Sequence, residues 1–262
     1  MNCFLISARI AWRTLPESLG GTAAFVRVIA VPALTALFYL AIASGAGYTA
    51  VGLDDAVAAA LGVGGVSASI AVAVLVAGDR FNGTLPFLII ASQNRILSSA
   101  GRFCVIAALG LVTAAVGLVA PLAIVGAPAA LGGWMAIALS MLSTAAAAIG
   151  VGYVVGALSL RLRDSLALAN AAEYVLPLFA GAVSPLSTMP TPLAWAASCL
   201  PLSHVIEAGR VGAENGLNDV FWQQLITGLG ISLVWIVAAF MCWLWFERQA
   251  RVRGTLDALA IG

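Results

Sequence analysis

Residues 56–78 read AVAAALGVGGVSASIAVAVLVAG, with no charged residue and no proline. About 20 such residues, advancing roughly 1.5 Å each as an α-helix, cross the ~30 Å hydrocarbon core of a bilayer. In water the same stretch would need burial on every side. The chain has no means of supplying that cover: of its 262 residues 62% are hydrophobic and 9% charged, with a mean hydropathy of +1.06. Soluble domains average about 45–50% apolar and about 25% charged residues. Too few polar groups remain here to coat a water-facing surface, and a lipid solvent removes that requirement.

Five further stretches have the same character, at about residues 25–46, 103–127, 134–160, 166–183 and 223–246. Glycine and proline within them are compatible with helix, because lipid forbids most alternatives and neighbouring helices satisfy freed backbone groups. The expectation is an all-α polytopic membrane protein with six transmembrane helices. Residues 1–262 form one transmembrane domain, since no repeat, linker or low-complexity tract marks a second.

The net charge of +1 gives no argument for nucleic acid or for an acidic partner. The placement of charge is more informative. All 12 basic residues are Arg. Arg9, Arg13 and Arg27 precede or edge the first span; Arg80, Arg95 and Arg102 lie between the second and third; Arg161 and Arg163 between the fourth and fifth; Arg248, Arg251 and Arg253 after the sixth. Arg210 stands alone on the other side, with Asp54, Asp55, Glu207, Glu214 and Asp219. The positive-inside rule puts the Arg-rich side in the cytoplasm. An even number of spans then puts both termini there. The abundance of Ala, Gly and Val without Lys suggests a high-GC bacterial source, hence a bacterial plasma membrane.

Cys3, Cys104, Cys199 and Cys242 are too widely spaced for a metal cage or a disulfide framework. The first residues carry Arg9, Arg13, Pro16 and Glu17 without a short apolar core and cleavage site, so no signal peptide is read. In residues 2–15, Phe4, Leu5, Ala8, Trp12 and Leu15 recur at helical spacing, with Arg9 and Arg13 opposite. This suits an amphipathic helix lying in the cytoplasmic interface, the other reading being a short disordered leader. Residues 184–222 hold Pro185, Pro190, Pro192 and Pro201 around an apolar run. Such a stretch at membrane depth must be buried in protein or line a cavity, which predicts short re-entrant helices before the last span.

Three groups of residues are candidates for function. The loop after the second span reads Asp79-Arg80-Phe81-Asn82-Gly83-Thr84-Leu85-Pro86-Phe87-Leu88-Ile89-Ile90-Ala91-Ser92-Gln93-Asn94-Arg95. Asn82-Gly83 is a turn signal, and Thr84 with Pro86 can start a helix. Leu85–Ala91 would then expose apolar surface on a cytoplasmic loop, for docking onto a soluble subunit or for interfacial packing. His204, Glu207 and Arg210 recur every three residues and share a helix face, where Glu207 and Arg210 can pair. Glu173 lies inside the fifth span. It could line a path, relay a proton, pair with an Arg from another helix, or sit protonated in packing. No G-x-x-x-x-G-K-[ST] phosphate loop, H-E-x-x-H or G-x-S-x-G occurs. Any ATPase site must belong to another chain.

At these loops the sequence resembles the type-2 family of ABC transporter permeases, the membrane subunits of exporters. The resemblance runs through Asp79, Arg80, Gly83-Thr84-Leu85, Phe87–Ala91, Arg95 and Gly101-Arg102. It continues in Val183-Ser184-Pro185-Leu186, Met189-Pro190, and Pro201-Leu202-Ser203-His204 followed by Arg210. Two departures stand out: Pro86 occupies a position that is commonly acidic, and Ser92-Gln93-Asn94 lacks the usual proline.

The resemblance implies a permease without a catalytic or metal site and with no cofactor on this chain, ATP and Mg being held by a partner ABC ATPase. A second permease copy, or a non-identical permease, would complete a dimer around a central path. Asp79, Arg80, Gly83, Thr84, Leu85, Phe87, Leu88, Ile89 and Arg95 would couple it to the ATPase. Glu173, His204, Glu207 and Arg210 are the candidates for path or gate. Apolar lining would favour an amphiphilic small molecule, lipid or peptide. An ATP-independent secondary transporter or channel is the rival, and genomic adjacency to an ATPase gene would separate the two.

Overall fold

The structure is a computed structural model describing residues 3–18, 25–45, 52–84, 95–160, 162, 164 and 166–253. Among the described residues all regular structure is helical. Helix α1 spans Cys3–Ser18. A π-helical turn, Val26–Ala30, leads into α2, Val31–Gly45. Then follow α3 (Leu53–Phe81), α4 (Arg95–Val125), α5 (Leu131–Ser159) and α6 (Ala167–Phe179). A 3₁₀ turn at Leu186–Thr188 precedes α7 (Thr191–Ser198), α8 (Pro201–Asn215) and α9 (Asp219–Arg253). Among the described residues five helical stretches are long and apolar enough to cross a membrane: Val26–Gly45, Leu53–Arg80, Ser99–Val125, Leu131–Ser159 and Asp219–Trp245.

The opening stretch becomes the centre of the molecule. Helix α3 packs against α2, α4, α5, α6 and α8, and its apolar segment is the most buried of the five. Between lipid-solvated helices there is little hydrophobic drive, so close backbone approach through small residues does the work. Gly64 and Ala68 of α3 meet Ala114 and Gly110 of α4 in a reciprocal, antiparallel seam. A Cβ at Gly64 would stand 2.4 Å from that of Ala114, and one at Gly110 2.6 Å from that of Ala68. A second seam joins α3 to α5, where Gly152 lies on the Ser69 carbonyl and Gly156 on Ala73 and Val76. By contrast α2 and α9 leave broad apolar faces exposed, including Leu34, Phe38, Ile226, Leu233, Val234 and Met241.

Helix α1 lies against the start of α4 through Ser7 and Ala8, which close over Gly101. Leu5, Ile6, Ile10 and Trp12 face outward beside Arg9 and Arg13. A helix thus covers the expected residues, but Ala8 packs on protein, and the exposed Leu5, Ile6, Ile10 and Trp12 share their side with Arg9 and Arg13 instead of lying opposite them.

Helix α6 is shorter than the apolar run at 166–183. Its start is set by Asp164, whose Oδ1 accepts the Leu166 amide at 2.9 Å, an Asx turn. Its end is a Schellman turn: Ala182 donates to the Pro177 carbonyl at 3.3 Å and Gly181 to Leu178 at 3.2 Å, with Gly181 at φ +73°. Residues 162–181 nevertheless run the length of α3. Arg80 holds the Leu162 carbonyl at one end of α3, and Arg210, paired with Asp55, holds the Gly181 carbonyl at the other. Asp55 and Arg80 are roughly 37 Å apart along the helix axis.

Candidate functional site

Of the residues singled out from the sequence, Asp79, Arg80, Gly83 and Thr84 lie at one end of α3, and Glu207 and Arg210 at the other. At the Arg80 end, α3 finishes with Gly83 at φ +66°, whose amide donates to the Arg80 carbonyl at 3.0 Å. Asp79 accepts a forked pair from Arg102 of α4, at 2.8 and 2.9 Å. Bidentate charge-assisted geometry of this kind is the strong form of the interaction. Arg80 reaches the other way and donates to the carbonyls of Leu160 and Leu162, both at 2.7 Å. The Leu160 carbonyl is the C-cap of α5, at the negative end of its dipole where a guanidinium is favoured, and Leu162 lies just past that end. Thr84 donates back to the Asp79 carbonyl at 3.1 Å. The last turn of α3 is thereby fastened to α4 and to the end of α5 together. Leu85, Phe87, Leu88 and Ile89, with the helix expected over Leu85–Ala91, lie outside the described residues. Arg95 opens α4.

At the Asp55 end, Arg210 is 4% exposed. Its Nη1 lies 2.5 Å from Asp55 Oδ1 on α3, and its Nη2 donates to the Gly181 carbonyl at 2.9 Å. Asp54 is 4.0 Å away, and Glu207 Oε2 is 3.8 Å from Nε. The expected Glu207–Arg210 pair is thus the looser one, and Nε has no hydrogen-bond partner among the described residues. Asp55 is the principal partner because the N-terminus of α3 delivers it to the buried face of α8. A buried guanidinium needs that compensation: stripping one partner from such a pair costs about 3–5 kcal/mol. The carboxyl of Glu207 is held above the usual range by burial, against the pull of Arg210. Glu214 is also raised, by burial and by Asp54 and Asp55.

His204 points elsewhere on α8. Its Nε2 lies 3.0 Å from the Ser198 carbonyl and its Nδ1 2.9 Å from the side-chain amide of Gln224 on α9. Both neighbours are oxygens, Gln224 Oε1 and the Ser198 carbonyl, so the ring nitrogen that carries the hydrogen donates to the oxygen it faces. His204 belongs to a set that satisfies the α7–α8 corner. Ser203 Oγ lies 2.8 Å from the Ala197 carbonyl and 2.7 Å from that of Leu200, and Trp235 Nε1 donates to Cys199 at 2.9 Å. Four consecutive carbonyls, 197–200, are met by side chains of α8 and α9. The corner lies deep: the adjoining Leu202 packs on Gly65, about 15 Å along α3 from Asp55.

Glu173 is exposed on α6 beside Tyr174 and Val175, with no ion pair among the described residues. The structure therefore does not join it to His204, Glu207 and Arg210. Sequence reasoning quoted Arg102 without a partner and assigned no contact to Asp55 or to the Gly181 carbonyl. Asp55 was signalled, since an acidic pair at the start of a span is the natural partner for a lone Arg on the same side. Gly181 carried no such signal, because its contribution is a backbone oxygen.

The described residues contain no group of three or more His, Cys, Asp or Glu able to hold a metal. What the arrangement supplies is mechanical: a central helix pinned at both ends. Comparison with curated proteins finds no match. Comparison with family models matches residues 8–213 to the ABC-2 type transporter family, a stretch that takes in most of α1, both ends of α3, the Schellman turn and nearly all of α8. On that match, and with a bundle of apolar helices to carry it, the chain belongs to the ABC-2 type transporter family as a multi-pass membrane permease.

Proposed function

We propose that the chain is the membrane subunit of an ATP-driven exporter of amphiphilic small molecules, lipids or peptides, with ATP and Mg bound by a separate ABC ATPase. The observation that carries this reading is the double clamp at Asp79 and Arg80. A loop meant only to connect two helices has no need of it. A loop that receives force from a soluble partner needs a base fixed to the bundle, and this one is fixed to α3, α4 and α5 at once. Leu85, Phe87, Leu88 and Ile89 would dock in the ATPase, and its closure would shift the population of two permease arrangements.

Six membrane crossings suit this reading. Five would send Arg248, Arg251 and Arg253 to the face opposite Arg80 and Arg102, against the positive-inside rule. A sixth is supported by the course of residues 162–181 from one end of α3 to the other. Both termini then lie in the cytoplasm. The α7–α8 corner fits a re-entrant hairpin, since irregular backbone at that depth must find its partners within the protein. The exposed faces of α2 and α9 would meet lipid and a second permease, identical or not.

The test is to purify the tagged chain from its own host in mild detergent, identify what co-elutes and measure ATP hydrolysis. Recovery of an ABC ATPase with vanadate-sensitive hydrolysis is expected. Leu88→Asp with Ile89→Asp should then separate hydrolysis from transport. A chain that emerges alone and without hydrolysis in several detergents would overturn the reading.

A further inference from the structure

The interior of α3 is held by apolar seams, but its ends are held by charge, and the two ends join different neighbours. The Arg80 end is tied to α4 and α5; the Asp55 end is tied to α8 and to the turn that closes α6. At that second end the small-residue packing is equally close. Gly209 of α8 lies against Leu61, where a Cβ would stand 2.3 Å from Leu61 Cδ1, and Gly62 lies against Ala182. One guanidinium, buried among Asp54, Asp55, Glu207 and the Gly181 carbonyl, is the polar contact shared by all three elements.

We propose that Arg210 is a positioning residue: it makes α8 and the α6 turn one rigid body with α3, so that displacement applied at Asp79 and Arg80 reaches the α7–α8 hairpin without slack. The proposal rests on the transport reading above and adds the element that the movement is delivered to. Three features favour a permanent joint over a latch that opens in each cycle. The arginine is almost wholly excluded from solvent, so parting it from Asp55 would strand a charge at every turnover. The Gly181 carbonyl is freed for Arg210 by the Schellman turn, which a positive φ fixes locally. The α8 side chains nearest the corner, Ser203 and His204, are already committed to Ala197 and Ser198 of α7 and to Gln224 of α9.

The experiment uses the ATPase complex purified from its own host, with the native cysteines replaced by serine and spin labels at Asn82→Cys and Asn215→Cys. These two positions are exposed, one at each end of the proposed rigid body. In the otherwise native protein the intrachain distance should be a single population, the same at rest and after trapping with vanadate. Arg210→Gln and the milder Asp55→Asn should add a second, nucleotide-dependent population while ATP hydrolysis stays within about twofold of native. Arg210→Lys, which keeps the charge, should restore most of the single population. Hydrolysis that continues in these variants also shows that they have folded and assembled.

A native distance that changes with nucleotide would overturn the proposal, because the joint then flexes in normal turnover. So would a single unchanged distance in both Arg210→Gln and Asp55→Asn. A native complex with no vanadate-sensitive hydrolysis would overturn the transport reading itself, and the positioning role with it.

Discussion

Gly152 offers the sharpest stability test, because two opposing effects of known size meet there. Replacing a helical glycine by alanine in open surroundings gains about 0.5–1 kcal/mol through reduced backbone freedom in the unfolded chain. At Gly152 a Cβ would stand 2.2 Å from the Ser69 carbonyl oxygen and 2.7 Å from Val72 Cβ. Ordinary carbon–oxygen contacts are no closer than about 3.3 Å, so α3 and α5 must separate by about 1 Å at this level. Backbone cannot rotate out of the way as a side chain can, and overpacking of this kind costs about 1–3 kcal/mol. The clash wins, and Gly152→Ala should destabilise by about 1–2 kcal/mol. At about 2–4 °C per kcal/mol, that is a fall of several degrees in the thermal midpoint. At Gly230 an added methyl would meet nothing within 4 Å, so Gly230→Ala should leave the midpoint unchanged or raise it. The assay is tryptophan fluorescence against temperature in one detergent for both variants. Midpoints shifting in the same direction by similar amounts would refute the close approach of α3 and α5.

Other substitutions test the remaining contacts. Asp79→Asn and Arg102→Gln break one partly exposed fork, so each should cost about 1 kcal/mol and the double variant little more than either; fully additive losses in a thermal double-mutant cycle would refute the pair. Gly181→Ala must hold φ +73° with a methyl 2.7 Å from Leu186 Cδ1, a loss of about 1–2 kcal/mol or more, read as a lower midpoint. Thr144 Oγ1 is buried without a hydrogen-bond partner among the described residues, so Thr144→Val should be neutral or stabilising by up to about 1–3 kcal/mol; a lower midpoint would mean that the hydroxyl has a partner in the membrane. Glu207 and Glu214 have raised pKa values in the folded protein, so the folded state binds more protons and stability should rise as pH falls from that raised range toward 4.5. Glu207→Gln with Glu214→Gln should flatten that slope in pH-dependent thermal melts.

The parts of the fold that hydropathy governs were legible in the sequence, and those governed by backbone geometry were not. The run at 56–78 announced a buried span because it carries no charged side chain. Its Gly64 and Gly65 did not reveal which neighbours they would touch, since small-residue seams need a partner helix at the right height. The run at 166–183 is as apolar as its neighbours, yet α6 ends at Phe179, because a turn at Gly181 costs nothing in hydropathy. At the Arg80 end, the Asp-Arg and Gly-Thr-Leu residues drew notice as a loop. The use of Asp79 and Arg80 as fasteners to Arg102, Leu160 and Leu162 depends on contacts up to 82 residues away in the chain. Glu207 was matched to Arg210 by helix spacing, but spacing counts only neighbours on one helix, and Asp55 came from another.

The distribution of forces along α3 follows from its solvent. In the hydrocarbon, an ion pair would have to offset desolvation of both groups, while close packing of glycine and alanine carries no such cost. Near the ends water and headgroups lower the desolvation term, and charge becomes a usable fastener. The helix obeys this division: Gly64, Gly65 and Ala68 pack its middle, and Asp55, Asp79 and Arg80 hold its ends. Such a helix resists both separation from its neighbours and sliding along them, because seams oppose the first and end contacts the second. The exposed apolar faces of α2 and α9 lack both devices, so a neighbour there can be displaced without breaking a charge or a seam.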